Sequence, residues 1–189
     1  MSQLLRWTSA DLEAMPDDSK RREIIDGELY VSKQPHYNHQ LVCVNSVVTL
    51  SAWNTESGLG QVNLAPGVIF AEDDDVAPDV IWISNRRLAN ALTADGKLHS
   101  APELVVEVLS PGESNERRDR EAKLKLYSRR GVEEYWILDW RTQSVEVYRG
   151  EHAQLRLIHT LYGEDQLKSP TLPGFFTPAA ALFRGIHLD

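Results

Sequence analysis

Cysteine is almost absent from this chain: Cys43 stands alone among 189 residues. One thiol cannot close an intramolecular disulfide, and no Cys/His cluster has the spacing of a structural zinc site. A reducing, cytoplasmic setting is the expectation that follows. Long apolar runs are missing too. The stretch around Leu4, Leu5 and Trp7 is broken by Arg6 and soon meets Asp11 and Glu13, unlike the apolar segment of a signal peptide. No window approaches the ~20 apolar residues of a membrane span, so no membrane partner is expected. Internal repeats, low-complexity tracts and a linker-like stretch are also lacking, and a single domain over residues 1–189 is expected.

Positive charge is in deficit. The chain carries 20 Lys and Arg against 28 Asp and Glu, a net charge of −8, with a pI near 5.3. That excludes a surface that coats nucleic acid generally, because backbone binding neutralises phosphates with Lys and Arg. The deficit is not uniform. Residues 113–130 hold seven basic side chains, among them Arg117, Arg118, Arg120, Lys123 and Lys125, against four acidic ones.

What is present is a mixed pattern of helices and strands. Ser9 can cap a short helix reaching Met15, before Pro16 and Asp17–Asp18 end it. Asp26–Gly27 lies between two apolar stretches within residues 23–31, the pattern of a tight hairpin. Leu41, Val44, Val48 and Leu50 recur near helical spacing over residues 39–53, and Gly58 and Gly60 close that element. Apolar pieces at 62–64, 67–70 and 80–83 read as successive strands of one sheet. Residues 103–109 form the clearest strand, stopped by Ser110–Pro111–Gly112. A helix over 114–130 and strands at 134–139 and 144–148 follow, and a strand, long helix and strand in this order suggest a βαβ-like crossover. A last strand pair is expected between Leu155 and Leu167.

Glu107 is the most informative residue, since it interrupts a Val- and Leu-rich strand that otherwise reads as buried on both faces. An ionised carboxylate there must be protonated, paired with a cation or bound to metal. An edge position or a simple ion pair is the plainer alternative. Asp79 follows Pro78 at the start of another strand, which sets a carboxylate at a strand end; a turn-capping aspartate is its alternative, with Asp73, Asp74 and Asp75 nearby in what reads as an acidic loop. If the two strands are neighbours, both carboxylates come within reach of one Mg²⁺. Asp119, Lys123 and Tyr127 lie four apart on one helical face. Lys123 would orient or activate a water and balance charge on a phosphate, or else form a surface ion pair with Asp119 worth ~0.3–0.5 kcal/mol. Tyr127 holds Lys123 or packs beneath it. His36 and His39, near a helix start, read as solvated and outside the catalytic set, and Trp136 and Trp140 as core or interface residues.

The strings Glu23–Ile24–Ile25–Asp26–Gly27–Glu28–Leu29, Pro78–Asp79–Val80, Glu103 through Pro111, Arg118–Asp119–Arg120 through Tyr127, and Gly131 through Trp136 occur in an order that resembles the Uma-two family of restriction-endonuclease-like proteins, over about residues 20–150. The resemblance implies an α/β class: a mixed central sheet flanked by helices in the PD-(D/E)XK nuclease fold, here with an additional N-terminal hairpin. It implies Asp79 and Glu107 as metal ligands, with Glu23 as an accessory acid. One departure matters, because Leu109 occupies the position two residues after the second acid where the superfamily's lysine usually stands. The resemblance assigns that role to Lys123 on the following helix. A site needs an ammonium in place, not a particular backbone address.

The expected function is therefore Mg²⁺-dependent hydrolysis of phosphodiester bonds in DNA, with Mn²⁺ as a substitute ion. Arg117, Arg118, Arg120 and Lys125 are the candidate phosphate contacts. The acidic balance implies weak, salt-sensitive DNA binding, and double-strand cutting implies a homo-oligomer, most simply a dimer. A catalytically silent module that keeps the fold for binding or assembly is the competing expectation, and the acidic pI favours it.

Overall fold

The computed structural model describes residues 6–16, 18 and 20–188. Leu4, Leu5 and Asp17, which entered the reading of the N-terminus, lie outside the described residues. Helix α1 (Ser9–Ala14) is capped one residue earlier than expected, by Thr8: its hydroxyl accepts the Asp11 N–H while the Asp11 carboxylate accepts the Thr8 N–H, a reciprocal capping box.

Strands β1 (Arg21–Ile25) and β2 (Glu28–Ser32) form the expected hairpin. Asp26 and Gly27 both take positive φ, 54° and 75°, as a two-residue turn between twisted strands requires. Helix α2 runs Tyr37–Ser57 and ends on Gly58 in the left-handed conformation. It buries a different face from the one the apolar spacing suggested. Val42, Cys43, Ser46 and Leu50 are buried with Asn38 and His39, whereas Val44 and Val48 are exposed.

The central sheet has six strands in the order β10-β9-β8-β7-β6-β3. These are β3 (Gly60–Leu64), β6 (Val80–Ser84), β7 (Leu104–Val108), β8 (Glu134–Asp139), β9 (Ser144–Glu151) and β10 (Gln154–Tyr162). All neighbours are antiparallel except β7 and β8, which are parallel and joined by the expected helical crossover. Residues of even number in β6, β7 and β8, such as Val80, Trp82, Val106, Trp136 and Leu138, pack toward α2 and the C-terminal segment. Their odd-numbered neighbours, Ile81, Val105, Tyr135 and Ile137, pack on the other side with Leu126 and Tyr127 of the crossover helix. Glu107 belongs by register to this second face.

Three expectations about strands are corrected. The 67–70 stretch is β4 (Val68–Ala71), and it joins a separate four-stranded sheet, β2-β1-β5-β4, rather than the central one. The acidic "loop" contains β5 (Asp74–Val76), with Asp74 and Asp75 buried. The tail strands do not pair with each other: β10 pairs with β9, while β11 (Gln166–Lys168) pairs with β12 (Phe176–Pro178). A short helix, α3 (Asn85–Ala91), was not expected at all; Ser84 caps it directly after β6.

Asp74 shows why acids crowd that segment. Its carboxylate accepts the Asp26 N–H at 2.9 Å and guanidinium hydrogen bonds from Arg129 at 2.7 Å and Arg130 at 2.5 Å. The smaller sheet is thereby tied to the end of the crossover helix. Burial alone would raise the Asp74 pKa, but the Asp26 N–H and the two arginines outweigh it and hold the pKa below the usual carboxylate value. A lowered folded-state pKa means stability that is present above the unfolded value of ~3.9 and lost as pH falls through the folded one. Asp74→Asn should lower stability in urea unfolding by about 2 kcal/mol at pH 7. The difference from the parent chain should shrink as pH falls below ~4.

Candidate active site

Glu107 is carried by a strand with a neighbour on each side, so its carboxylate has no route to bulk water except along its own face; it is 1% exposed. The crossover helix lies over that face. It is not one regular helix: α4 (Glu113–Arg117) passes into a π turn over Arg118–Lys123 and then into α5 (Leu124–Arg130). π turns are rare, and they recur at functional sites. Here the Tyr135 hydroxyl donates to the Asp119 carbonyl at 3.0 Å, within the wide turn. Asp119, Lys123 and Tyr127 all point inward and are buried.

Lys123 is fully buried, and its Nζ lies 2.8 Å from Glu107 Oε1, 2.9 Å from Glu23 Oε1 and 3.9 Å from Asp119 Oδ1. The Tyr127 hydroxyl donates to the same Glu107 Oε1 at 2.8 Å. Burial pushes the Tyr127 phenol well up, so it remains a donor. Glu23 arrives from β1 and also accepts the Ala77 N–H at 2.9 Å. Asp79, just before β6, accepts the Val108 N–H on Oδ2 and an Arg21 guanidinium hydrogen bond on Oδ1, each at 2.8 Å. His39 of α2 brings Nε2 to 3.3 Å from Asp79 Oδ2. Arg118 donates to Asp119 at 2.9 Å and to Ser32 Oγ at 2.9 Å.

Four buried carboxylates, Glu23, Asp79, Glu107 and Asp119, therefore face three permanent cations, Lys123, Arg21 and Arg118. An excess of one carboxylate over the permanent cations remains, with His39 as the other ionisable neighbour. It shows at Glu107, where burial, offset only in part by Lys123 and reinforced by Asp79, Asp119 and Glu23, pushes the pKa up to about 8. For Asp79 and Glu23 burial acts in the same upward direction but is outweighed. His39 and Arg21 hold Asp79 low, and Lys123 and Arg21 hold Glu23 low. A pair of neighbouring carboxylates whose pKa values are driven apart is a mark of a functional site.

Asp79, Glu107, Arg21, His39, Lys33 and Arg118 line parts of one cleft of about 740 Å³. The Uma2 family, described as "Putative restriction endonuclease", matches residues 9–181 of this chain. The chain belongs to the Uma2 family. Its fold is also that of a solved "putative nuclease belonging to DUF820" from Anabaena variabilis, with a TM-score of 0.75 at 18% identity over 93% of this chain and 97% of that one. No curated protein matches the chain. Membership places the chain among nuclease-like proteins, as the sequence reading anticipated, and the mixed central sheet agrees with the expected class. Among the described residues, no helix is long and apolar enough to cross a membrane.

Within this Uma2 chain the four acidic and basic residues singled out from sequence, Glu23, Asp79, Glu107 and Lys123, come together from β1, the start of β6, β7 and the π turn. The four candidate phosphate contacts do not. Arg118 lines the cleft, but Arg120 pairs with Glu146 and the exposed Arg117 faces Glu121 at 3.9 Å. Arg117 and Lys125 border a different hollow, with Glu28 and Tyr30. Beside Arg118, the cations that share the carboxylates' cleft are Lys20, Arg21 and Lys33. His39 was the other omission. A histidine at a helix entrance reads as solvated by default; registering the helix on Val42, Cys43, Ser46 and Leu50 places His39 inside. His36 caps α2 and stacks on Trp140, 4.6 Å between centroids, and Trp136 and Trp140 are both buried.

Removing one partner from a buried charge cluster leaves the others unpaired. Lys123→Met should therefore lower stability by about 3–5 kcal/mol at pH 7 in chemical denaturation. Glu107→Gln imitates the protonated carboxyl and should cost less than about 1.5 kcal/mol. A Glu107→Gln variant as unstable as Lys123→Met would contradict the charge balance described above.

Proposed function

We propose that this protein is a divalent-metal-dependent endonuclease that hydrolyses phosphodiester bonds in DNA, with Mg²⁺ as the ion and Mn²⁺ as a substitute. The observation that supports this reading best is the surplus carboxylate. Glu107, whose hydrogen bonds all fall on Oε1, turns a buried acid toward the same cleft as Asp79. The donor set suits a hard divalent ion, which Asp79 and Glu107 would hold. Such an ion, when bound, supplies Lewis-acid polarisation of the scissile phosphate and a water of lowered pKa.

The chain's own residues do the remaining work. Lys123 lies beneath the cleft rather than in it, so it acts as a positioning residue: with Tyr127 it fixes Glu107 Oε1 and thereby the direction of the other oxygen. Glu23 in turn fixes Lys123. Arg21 and Arg118, half-buried at the cleft, and Lys20 and Lys33, exposed there, offer contacts to the DNA phosphates. That is a small cationic patch on an acidic molecule, so binding should be weak and strongly salt-dependent.

The second reading, a silent module for binding or assembly, draws on the net charge of −8. Cleavage assays on single-stranded, double-stranded and branched DNA with Mg²⁺ or Mn²⁺ decide between them. We expect cleavage that a chelator abolishes, and losses of at least about a hundredfold in Asp79→Asn and Glu107→Gln. Wild-type protein that binds neither ion and cuts none of these substrates would establish the module instead.

A further inference from the structure

We propose that His39 is a nitrogen ligand of the ion that Asp79 and Glu107 would hold, making the site a mixed nitrogen and oxygen site; this rests on the metal-dependent reading above. His39 is 5% exposed and lines the cleft from the first turn of α2. That turn is held firmly. The Asn38 side chain donates to the His187 carbonyl at 2.6 Å and accepts the His187 N–H at 3.2 Å, while His36 stacks on Trp140. The imidazole is thus placed by packing, as a ligand must be if the site is to be preorganised.

The separation between His39 Nε2 and Asp79 Oδ2, 3.3 Å, is informative. A charge-assisted N–H···O bond is drawn in to about 2.7–2.9 Å. Two adjacent ligands of an octahedral ion with ~2.1 Å bonds stand about 3.0 Å apart. The observed distance is longer than either, which leaves room for an ion to be held between the two side chains. Cys43 completes a cluster of three candidate ligands with His39 and Asp79, but the nitrogen on the Asp79 side is not the one that meets the thiol. Nε2 faces Asp79, whereas Nδ1 faces Cys43 Sγ at 3.7 Å. The two ring nitrogens point in diverging directions, so the thiol sits behind the imidazole. Its place is that of an outer partner that fixes the ring and its tautomer.

An imidazole ligand has a consequence for selectivity. Mg²⁺ prefers oxygen and keeps its waters, whereas Mn²⁺ and later transition ions accept nitrogen readily. The chain should favour Mn²⁺ over Mg²⁺ more strongly than two carboxylates alone would.

The test is electron spin echo envelope modulation on the full chain loaded with Mn²⁺, beside calorimetric titration with Mn²⁺ and Mg²⁺. We expect ¹⁴N modulation of the imidazole type in the wild type, its loss in His39→Gln and His39→Asn, and its retention in His152→Gln and His159→Gln, which alter exposed histidines away from the cleft. Mn²⁺ affinity should fall at least about tenfold in the His39 variants, with a smaller change for Mg²⁺. Bound Mn²⁺ without nitrogen modulation in the wild type would overturn the assignment and leave the two-carboxylate reading standing. Modulation that survives in a folded His39 variant, or disappears in His159→Gln, would overturn it equally. Failure of the wild type to bind Mn²⁺ at all would overturn both.

Discussion

An ammonium group shut away from solvent organises this molecule. Lys123 reaches Glu107 on the central sheet and Glu23 on the N-terminal hairpin at once, so the smaller sheet, the crossover helix and β7 meet at a single charge. Buried ion pairs are weak contributors to net stability, because desolvation consumes most of the Coulombic gain. Their effect is on uniqueness of arrangement: a hairpin displaced by one residue would strand Glu23 without a partner, and the fold would be left with an unpaired ion in its interior.

The charge ledger of the whole molecule and that of the site point in opposite directions, and the fold reconciles them by segregation. Much of the basic content of the 113–130 segment is spent on internal partners: Arg120 on Glu146, Arg129 and Arg130 on Asp74. A count of side chains along the sequence therefore overstates what this helix can offer to a ligand. The cations that stand with the carboxylates come from elsewhere, chiefly the segment around β1 and the stretch after β2.

Which features were legible from sequence follows from what each depends on. β7 and its buried acid could be read because an apolar strand interrupted by one charge is a local contradiction that needs a remedy. The Asp26–Gly27 hairpin could be read because only particular residues tolerate positive φ. The alignment of Asp119, Lys123 and Tyr127 followed from helical spacing, although the π turn through the first two did not show in the pattern, since its enabling contact, the Tyr135 hydroxyl, lies 16 residues away. Long-range choices escaped. Nothing local tells β4 to pair in the smaller sheet, or reveals that Asp74 is buried against two arginines more than fifty residues distant. The face of α2 was misjudged because its apolar residues lie on both sides, and the side it buries includes Asn38, His39 and Ser46.

Asp79 does more than present an oxygen to the cleft. The register of β6 and β7 puts Pro78 opposite Val108, and the Asp79 carboxylate takes the Val108 amide as the ladder runs out. The last rung of the sheet is thus made by a side chain that also faces the cleft. Whatever alters the electron density on that carboxylate alters the strength of a main-chain bond in the sheet, and the Val108 amide proton becomes a built-in listening post, its resonance and its exchange with solvent recording events in the cleft from the backbone side.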